Sequence, residues 1–296
     1  MSSFIKQEHL DLISAELSIK NWQVSNVARL IDEGATIPFI SRYRKEQTGS
    51  LDEVAVASVK EKLAKFEELE KRKQTVLTTI EEQGKLTPDL KQRIECCFDS
   101  TELEDIYLPY KPKRRTKATI AKERGLEPLA TLIMRQVDKD IESKAERFLT
   151  DDVPTVADAL QGARDIIAEW VSESEKARNV VRRHFSRFAI IKSKVVKGKE
   201  TDGVKYSDYF AWEEEVRRCA SHRFLAMRRG QEEGFLKVSI VPPSEPVVED
   251  IEKAFVKGKG EAALQVELAV ADSYKRLLEP SIENEFTASL KEKADE

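Results

Sequence analysis

Residues 50–84 read "SLDEVAVASVKEKLAKFEELEKRKQTVLTTIEEQG". Val56, Val59, Leu63 and Phe66 recur at spacings of three and four, and Leu77 and Ile80 resume the same phase. That period gathers apolar side chains on one helix face and leaves Glu and Lys on the other. Ser50 and Glu53 stand three apart, as a capping box requires, and Gly84 is a stop signal. One long amphipathic helix to about Gln83 is predicted.

The same reading extends outward in both directions. Residues 4–17 and 22–32 carry helical apolar stripes, Gly34 ends the second, and Pro38 opens a third helix to about Arg44. Three short helices in this space resemble a helix-turn-helix layout. Thr87-Pro88 and Thr101 with Glu104 mark further helix starts. Pro109 and Pro112 predict that "YLPYKP" is extended. "KATIAKERG" supplies a turn or two of helix ending at Gly125, and "LEPLATLIMRQ" supplies another. Residues 155–171 carry the stripe Val156, Leu160, Ala163, Ile167 and Trp170, and residues 174–187 continue as helix.

The period then changes. "FAIIKSKVVKG" and "GFLKVSIVPP" are rich in β-branched residues, and they predict two strands paired antiparallel. "SHRFLAMRRG" between them reads as helix, as do 245–257 and 260–290, with Pro280 expected to kink the last or start a new one. The expected fold is mainly α: an extended multi-helix scaffold with an N-terminal helix-turn-helix-like unit, long helices and a small antiparallel β element. The switch from helix to strand suggests two domains, 1–188 and 189–296.

Composition narrows the function classes. The chain has 296 residues, 35% of them charged, with scarce Gly and Pro. No apolar run approaches the roughly 18 residues of a membrane span, and the N-terminus lacks a signal-peptide core, so a cytoplasmic protein is expected. Three cysteines without ligand spacing suggest reduced thiols, and Cys96-Cys97 reads as a partly buried pair. His9, His184 and His222 form no metal or catalytic motif; His9 is expected to be solvated and His222 to lie in a helix start capped by Ser221. "KGKETDG" at 197–203 reads as a basic turn, since it lacks a strand–loop–helix context. No enzyme, cofactor or metal site is expected.

Charge is the informative feature. The net charge is −4, yet residues 107–125 and 181–205 each sum to +6, which leaves −16 on the remainder. Basic runs attract polyanions, and Lys and Arg that neutralise phosphates release counterions. The candidate nucleic-acid contacts are Lys111, Lys113, Arg114, Arg115 and Lys117, with Tyr110 as a stacking face. Two readings stay open. The run grips phosphates, or it pairs within the chain, with "STELEDI" or the long charged helix as partner. Residues 181–205 lean toward pairing, and Glu46 weakens a case for Arg42, Arg44 and Lys45.

Several stretches together carry a resemblance: "DEGATIPFISRYRKEQTGSLDE" (32–53), "TELEDIYLPYKPKRRTKATIAKERGLEPLA" (101–130), "DALQGARDIIAEW" (158–170), "SKVVKGKETDGVKYSDYF" (193–210) and "SHRFLAMRRG" (221–230). They are similar to the bacterial Tex family of transcription accessory proteins, over nearly the whole chain. The resemblance implies a helical N-terminal region that serves as a scaffold. It also implies further domains after residue 296, namely an RNase H-like domain, helix-hairpin-helix elements and an S1 domain. On that basis the chain is expected to be an N-terminal piece that meets RNA or DNA through the full-length protein, and the transcription machinery as well. The expected function is a non-catalytic, nucleic-acid-associated scaffold region. The alternative is a protein–protein interaction module that docks its own C-terminal domains or the transcription machinery without touching nucleic acid.

Overall fold

The computed structural model describes residues 5–295. The chain forms two compact units, Met1–Lys111 and Pro112–Glu296. It is mainly helical, with one small antiparallel sheet. The change from helix to strand after residue 188 lies inside the second unit.

In the first unit, α1 (Gln7–Leu17), α2 (Asn21–Asp32) and α3 (Ile37–Tyr43) make the helix-turn-helix-like layout. Residue 4, where the first helix was expected to begin, lies outside the described residues. A short α4 (Lys45–Thr48) follows, then the long α5 (Glu53–Glu82), α6 (Pro88–Glu95) and α7 (Ser100–Tyr107). At 30 residues α5 is about 45 Å long, so its apolar face outruns any one partner. Val56 and Val59 join Leu10, Ile13, Val24, Val27 and Ile40 in one core. Leu69, Val76 and Ile80 join Ile94, Leu103 and Ile106 in another, and Phe66 packs against both.

Three local signals differ from expectation. The side chain of Asp52, not Ser50, caps α5 by accepting from the Ala55 N–H at 2.8 Å; Ser50 sits at φ 63° in the turn. Asp99, not Thr101, caps α7 through the Glu102 N–H. In both cases the backbone path puts a nearby Asp, a good N-cap residue, at the cap position instead of the hydroxyl residue. Residues Leu108–Tyr110 form a 3₁₀ turn rather than extended chain, and Lys111 after them is extended. Leu108 ends α7 in helical geometry, and Pro109 tolerates the tight turn because it has no N–H to leave unpaired.

His9 is the largest departure, because it is wholly buried. Its ring stacks on Phe66 at 4.7 Å and meets Phe98 edge-on. Nδ1 accepts from the Lys6 N–H at 3.0 Å, and Nε2 lies 3.4 Å from Glu70 Oε1. Glu70 also takes Lys6 at 2.8 Å and the buried Lys73 at 2.6 Å. His9 stands next to Leu10 on the stripe that α1 turns toward α5, so its ring enters the core with Nδ1 satisfied and Nε2 facing a carboxylate.

The second unit comprises α8 (Lys117–Glu123), α9 (Glu127–Arg135), α10 (Ile141–Ala145), α11 (Val156–Glu173), α12 (Glu175–Phe188), β1 (Ile190–Val195), β2 (Ala211–Glu215), α13 (Ser221–Glu232), β3 (Leu236–Val241), α14 (Ser244–Phe255), α15 (Glu261–Ser273) and α16 (Glu279–Asp295). The sheet order is β2-β1-β3, both pairings antiparallel. The expected pair is β1 and β3, with Ile191 opposite Ile240. The sequence reading missed β2, "AWEEE", whose three acids hide its alternation. Glu213 lies opposite Lys192 in the β1 ladder and pairs with it at 3.2 Å, so cross-strand charge replaces the apolar signal.

The core of this unit is built on α11, whose Ile166, Ile167 and Val171 are fully buried. Gly162 lets the Leu126 side chain come so close that a Cβ there would stand 2.3 Å from its Cδ1. Before Pro280 the backbone opens into a π turn over Tyr274–Leu278, and the Glu279 N–H donates to the Tyr274 carbonyl. Proline offers no N–H and its ring would strike the carbonyl one turn back, so the wider turn keeps the chain helical through it. His184 is buried, with Nε2 2.8 Å from Asp250 Oδ2. His222 is exposed, and Ala220 rather than Ser221 holds the cap position of α13.

Candidate nucleic-acid interface

The basic run is divided between the two units. Tyr110 and Lys111 end the first. The Tyr110 ring is half-buried against the Leu69 core, and its carbonyl accepts from Gln83 Nε2 at 2.7 Å. Lys111 is exposed, and its backbone N–H donates to the Tyr107 carbonyl at 3.0 Å.

In the second unit residues 112–116 form an irregular arm leading into α8. Thr116 caps that helix by accepting from the Thr119 N–H at 3.0 Å. Gly125 at φ +77° ends it in the left-handed region that suits glycine. The inner face of α8, with Ala118 and Ala121 buried, packs on α11. Small side chains permit that close approach, and it sets the arm beside the C-terminal turn of α11.

There Lys113 is anchored. Its Nζ lies 3.1 Å from Glu169 Oε1 and also contacts Glu173 Oε1. Glu169 further accepts from the Thr116 hydroxyl at 3.0 Å and faces Lys122 Nζ at 3.3 Å. Glu169 and Glu173 are one helical turn apart and nearly buried. Burial pushes Glu169 up, but Lys113, Thr116 and Lys122 outweigh it and hold the carboxyl below its ordinary range. Burial wins at Glu173, which sits above that range. Burial pulls the Lys113 ammonium down, and the two carboxylates more than reverse this.

The partners of Lys113 are therefore neither "STELEDI" nor the long charged helix α5. The useful signal was a glutamate pair, 169 and 173, one turn apart at the C-terminal end of α11. Nothing local to the arm revealed it, because 56 and 60 residues separate the partners.

The other candidates face outward. Arg115 pairs with Glu123 at 3.0 Å, both well exposed. Exposed pairs of this kind are worth little and exchange readily for another anion. Arg114, Lys117 and Arg124 are exposed, and among the described residues neither they nor Lys111 make a side-chain hydrogen bond or ion pair. In the second basic segment Arg182 pairs with Glu285, Lys192 with Glu213, Lys199 with Asp202 and Lys205 with Glu233. Among the described residues no group of His, Cys, Asp or Glu could hold a metal ion, and no helix is long and apolar enough to cross a membrane.

Two family models match the chain. One described as Tex central region-like covers residues 136–296, and one described as Tex-like protein N-terminal domain covers residues 7–81. The arm lies between the two matched ranges. The chain is 40% identical over 300 residues to Uncharacterized protein YdcI of Bacillus subtilis, covering 100% of this chain and 41% of that protein. It is 45% identical over 243 residues to Transcriptional accessory protein Tex of Neisseria gonorrhoeae, covering 81% and 32%. S1 RNA-binding domain-containing protein 1 of Homo sapiens is 28% identical over 306 residues, covering 97% and 30%. The chain thus spans about two fifths or less of the length of these relatives.

Proposed function

The chain belongs to the Tex family, and from that premise we propose that it is a non-catalytic, nucleic-acid-associated scaffold region acting in transcription in the cytoplasm. The observation that carries this reading is the split use of the basic run. Lys113 fixes the arm to α11, and Arg114, Arg115, Lys117 and Arg124 are left facing solvent around it. Lys111 adds a further exposed cation at the end of the first unit. Such groups contact the sugar–phosphate backbone and carry no sequence information, so RNA and DNA are both ligands for them. The names of two relatives, Transcriptional accessory protein Tex and S1 RNA-binding domain-containing protein 1, support the ligand class.

The test is a salt titration of binding to a duplex oligonucleotide. Replacing Lys111, Arg114, Arg115 and Lys117 together with Ala should flatten the plot of log K against log salt by roughly 0.9 for each phosphate no longer neutralised. An unchanged slope and affinity would reject these residues as the grip. A second reading, docking to another protein, is favoured by Leu264 and Leu268, exposed one turn apart on α15. Loss of partner capture on changing both to Ser, with nucleic-acid binding intact, would support it.

A further inference from the structure

The first unit carries a surface that the arm does not explain. Tyr43 ends α3 and is 68% exposed; Phe39, one turn earlier, is 38% exposed. Their ring centroids are 5.5 Å apart, with the planes tilted by 41°. The Arg44 guanidinium lies 4.8 Å above the Phe39 ring. The two rings present aromatic faces to solvent side by side. The backbone here breaks at Arg44 (φ −125°, ψ 25°) between α3 and α4.

Cations outnumber acids around the rings. Arg42 and Lys45 flank Tyr43 and are exposed, and neither makes an ion pair among the described residues. The acids nearby in the chain are Glu33, already held by Arg29 at 2.9 Å, and the exposed Glu46. Beside Phe39 and Arg44 runs a groove of about 430 Å³, walled by Leu30, Ala35 and Thr36 with Glu33 at its rim. Aromatic faces interleaved with Arg and Lys match one chemistry closely. Bases stack on the rings while the cations meet the phosphates between them. A duplex keeps its bases stacked on one another, so such rings are useful only to unpaired strands.

We propose that the α3–α4 corner is a second nucleic-acid site, specific for single strands, in which Tyr43 and Phe39 stack unpaired bases and Arg42, Arg44 and Lys45 hold the backbone. It shares its ligand class with the function proposed above but none of its residues, so the two fail separately. The corner sits in the helix-turn-helix-like unit, yet it uses an aromatic platform rather than a helix laid in a groove.

The test is fluorescence anisotropy of the whole chain with labelled oligo(dT) and with a duplex, each across a salt series. Tyr43→Ala should weaken oligo(dT) binding about tenfold at every salt, with the slope unchanged, because stacking releases no counterions. Tyr43→Trp should restore it, and duplex binding should stay as in the parent. Arg42→Ala with Lys45→Ala should flatten the oligo(dT) slope alone. Unchanged oligo(dT) binding by Tyr43→Ala, or equal loss on single strand and duplex, would overturn the proposal. So would loss of capture of a transcription protein with oligo(dT) affinity intact, which would make the rings a protein-docking point. The arm variant lacking its four cations supplies the separate check. If it loses duplex binding while Tyr43→Ala changes nothing, the arm stands and this site falls.

Discussion

Lys113→Ala should destabilise the second unit, although the residue carries one of seven positive charges in a solvated run. The Lys113 side chain is 28% exposed, and its two partners, Glu169 and Glu173, are 10% and 13% exposed. Removing the cation leaves both carboxylates desolvated and facing one another. Glu169 keeps Thr116 and Lys122, whereas Glu173 keeps no other ion pair or hydrogen bond among the described residues. Breaking a fully buried pair costs about 3–5 kcal/mol; partial exposure reduces this to about 2 kcal/mol. For a unit of this size that lowers Tm by about 4–8 °C. The loss should be pH-dependent. Glu173 has a folded pKa above its unfolded value, so its own charge destabilises the fold as pH rises through that pKa. Without Lys113 this penalty grows, so the deficit is largest near neutrality and shrinks as acid protonates Glu173. Thermal unfolding by circular dichroism at several pH values measures it, with Arg114→Ala as the control expected to stay within about 0.5 kcal/mol of the parent. A Lys113→Ala protein that melts with the parent at neutral pH would refute the anchor and return Lys113 to the solvated run.

Two further outcomes are expected. Burial lowers the His9 pKa below its ordinary 6.5, with Lys73 and Lys6 adding to the effect and Glu70 opposing it, so neutral His9 favours the fold. That contribution is full above 6.5 and is lost as pH falls through the lowered value; His9→Phe, which keeps the ring against Phe66, should flatten the stability–pH curve there, and a curve parallel to the parent's would contradict it. Gly162→Val places branched carbon where Leu126 already sits, and overpacking of this kind should cost about 1–3 kcal/mol in chemical denaturation, with no loss if the two helices can part freely.

How much of this was legible follows from which signals are local. Helix existence is written in periodicity, so α5 and α11 could be placed to within a few residues. Helix starts were less legible where an Asp stood near a Ser or Thr, because several residues offer a cap and only the backbone path selects one. β2 was hidden because its pairing signal sits on β1, where Lys192 answers Glu213. His9 looked solvated because its carboxylate partner Glu70 and its stacking partner Phe66 lie 61 and 57 positions away. Side chains satisfied across the fold, such as His9 and Lys113, were the hardest to read, because nothing near them in sequence names the partner.

The arm shows why net charge is a poor guide to contact. Lys111, Lys113, Arg114, Arg115 and Lys117 carry the same unit of charge, and composition treats them as one site. The fold separates them by whether a carboxylate waits within reach. Glu169 and Glu173 claim Lys113, and the same Glu169 binds the hydroxyl that caps α8. Anchor and cap therefore share one acceptor, which couples the path of the arm to the start of α8, the helix that begins at Lys117. Under the function proposed above, a phosphate arriving at the arm meets cations on a segment that Lys113 already anchors, and it does not have to order that segment first. Ordering a residue costs about 1–2 kcal/mol, comparable to the gain from a single exposed phosphate contact. In an unanchored run of the same charge, that ordering would offset most of the attraction. Under the function proposed above, the anchored lysine contributes to binding by being unavailable for it, and the Lys113→Ala variant should bind nucleic acid more weakly than the loss of one charge requires.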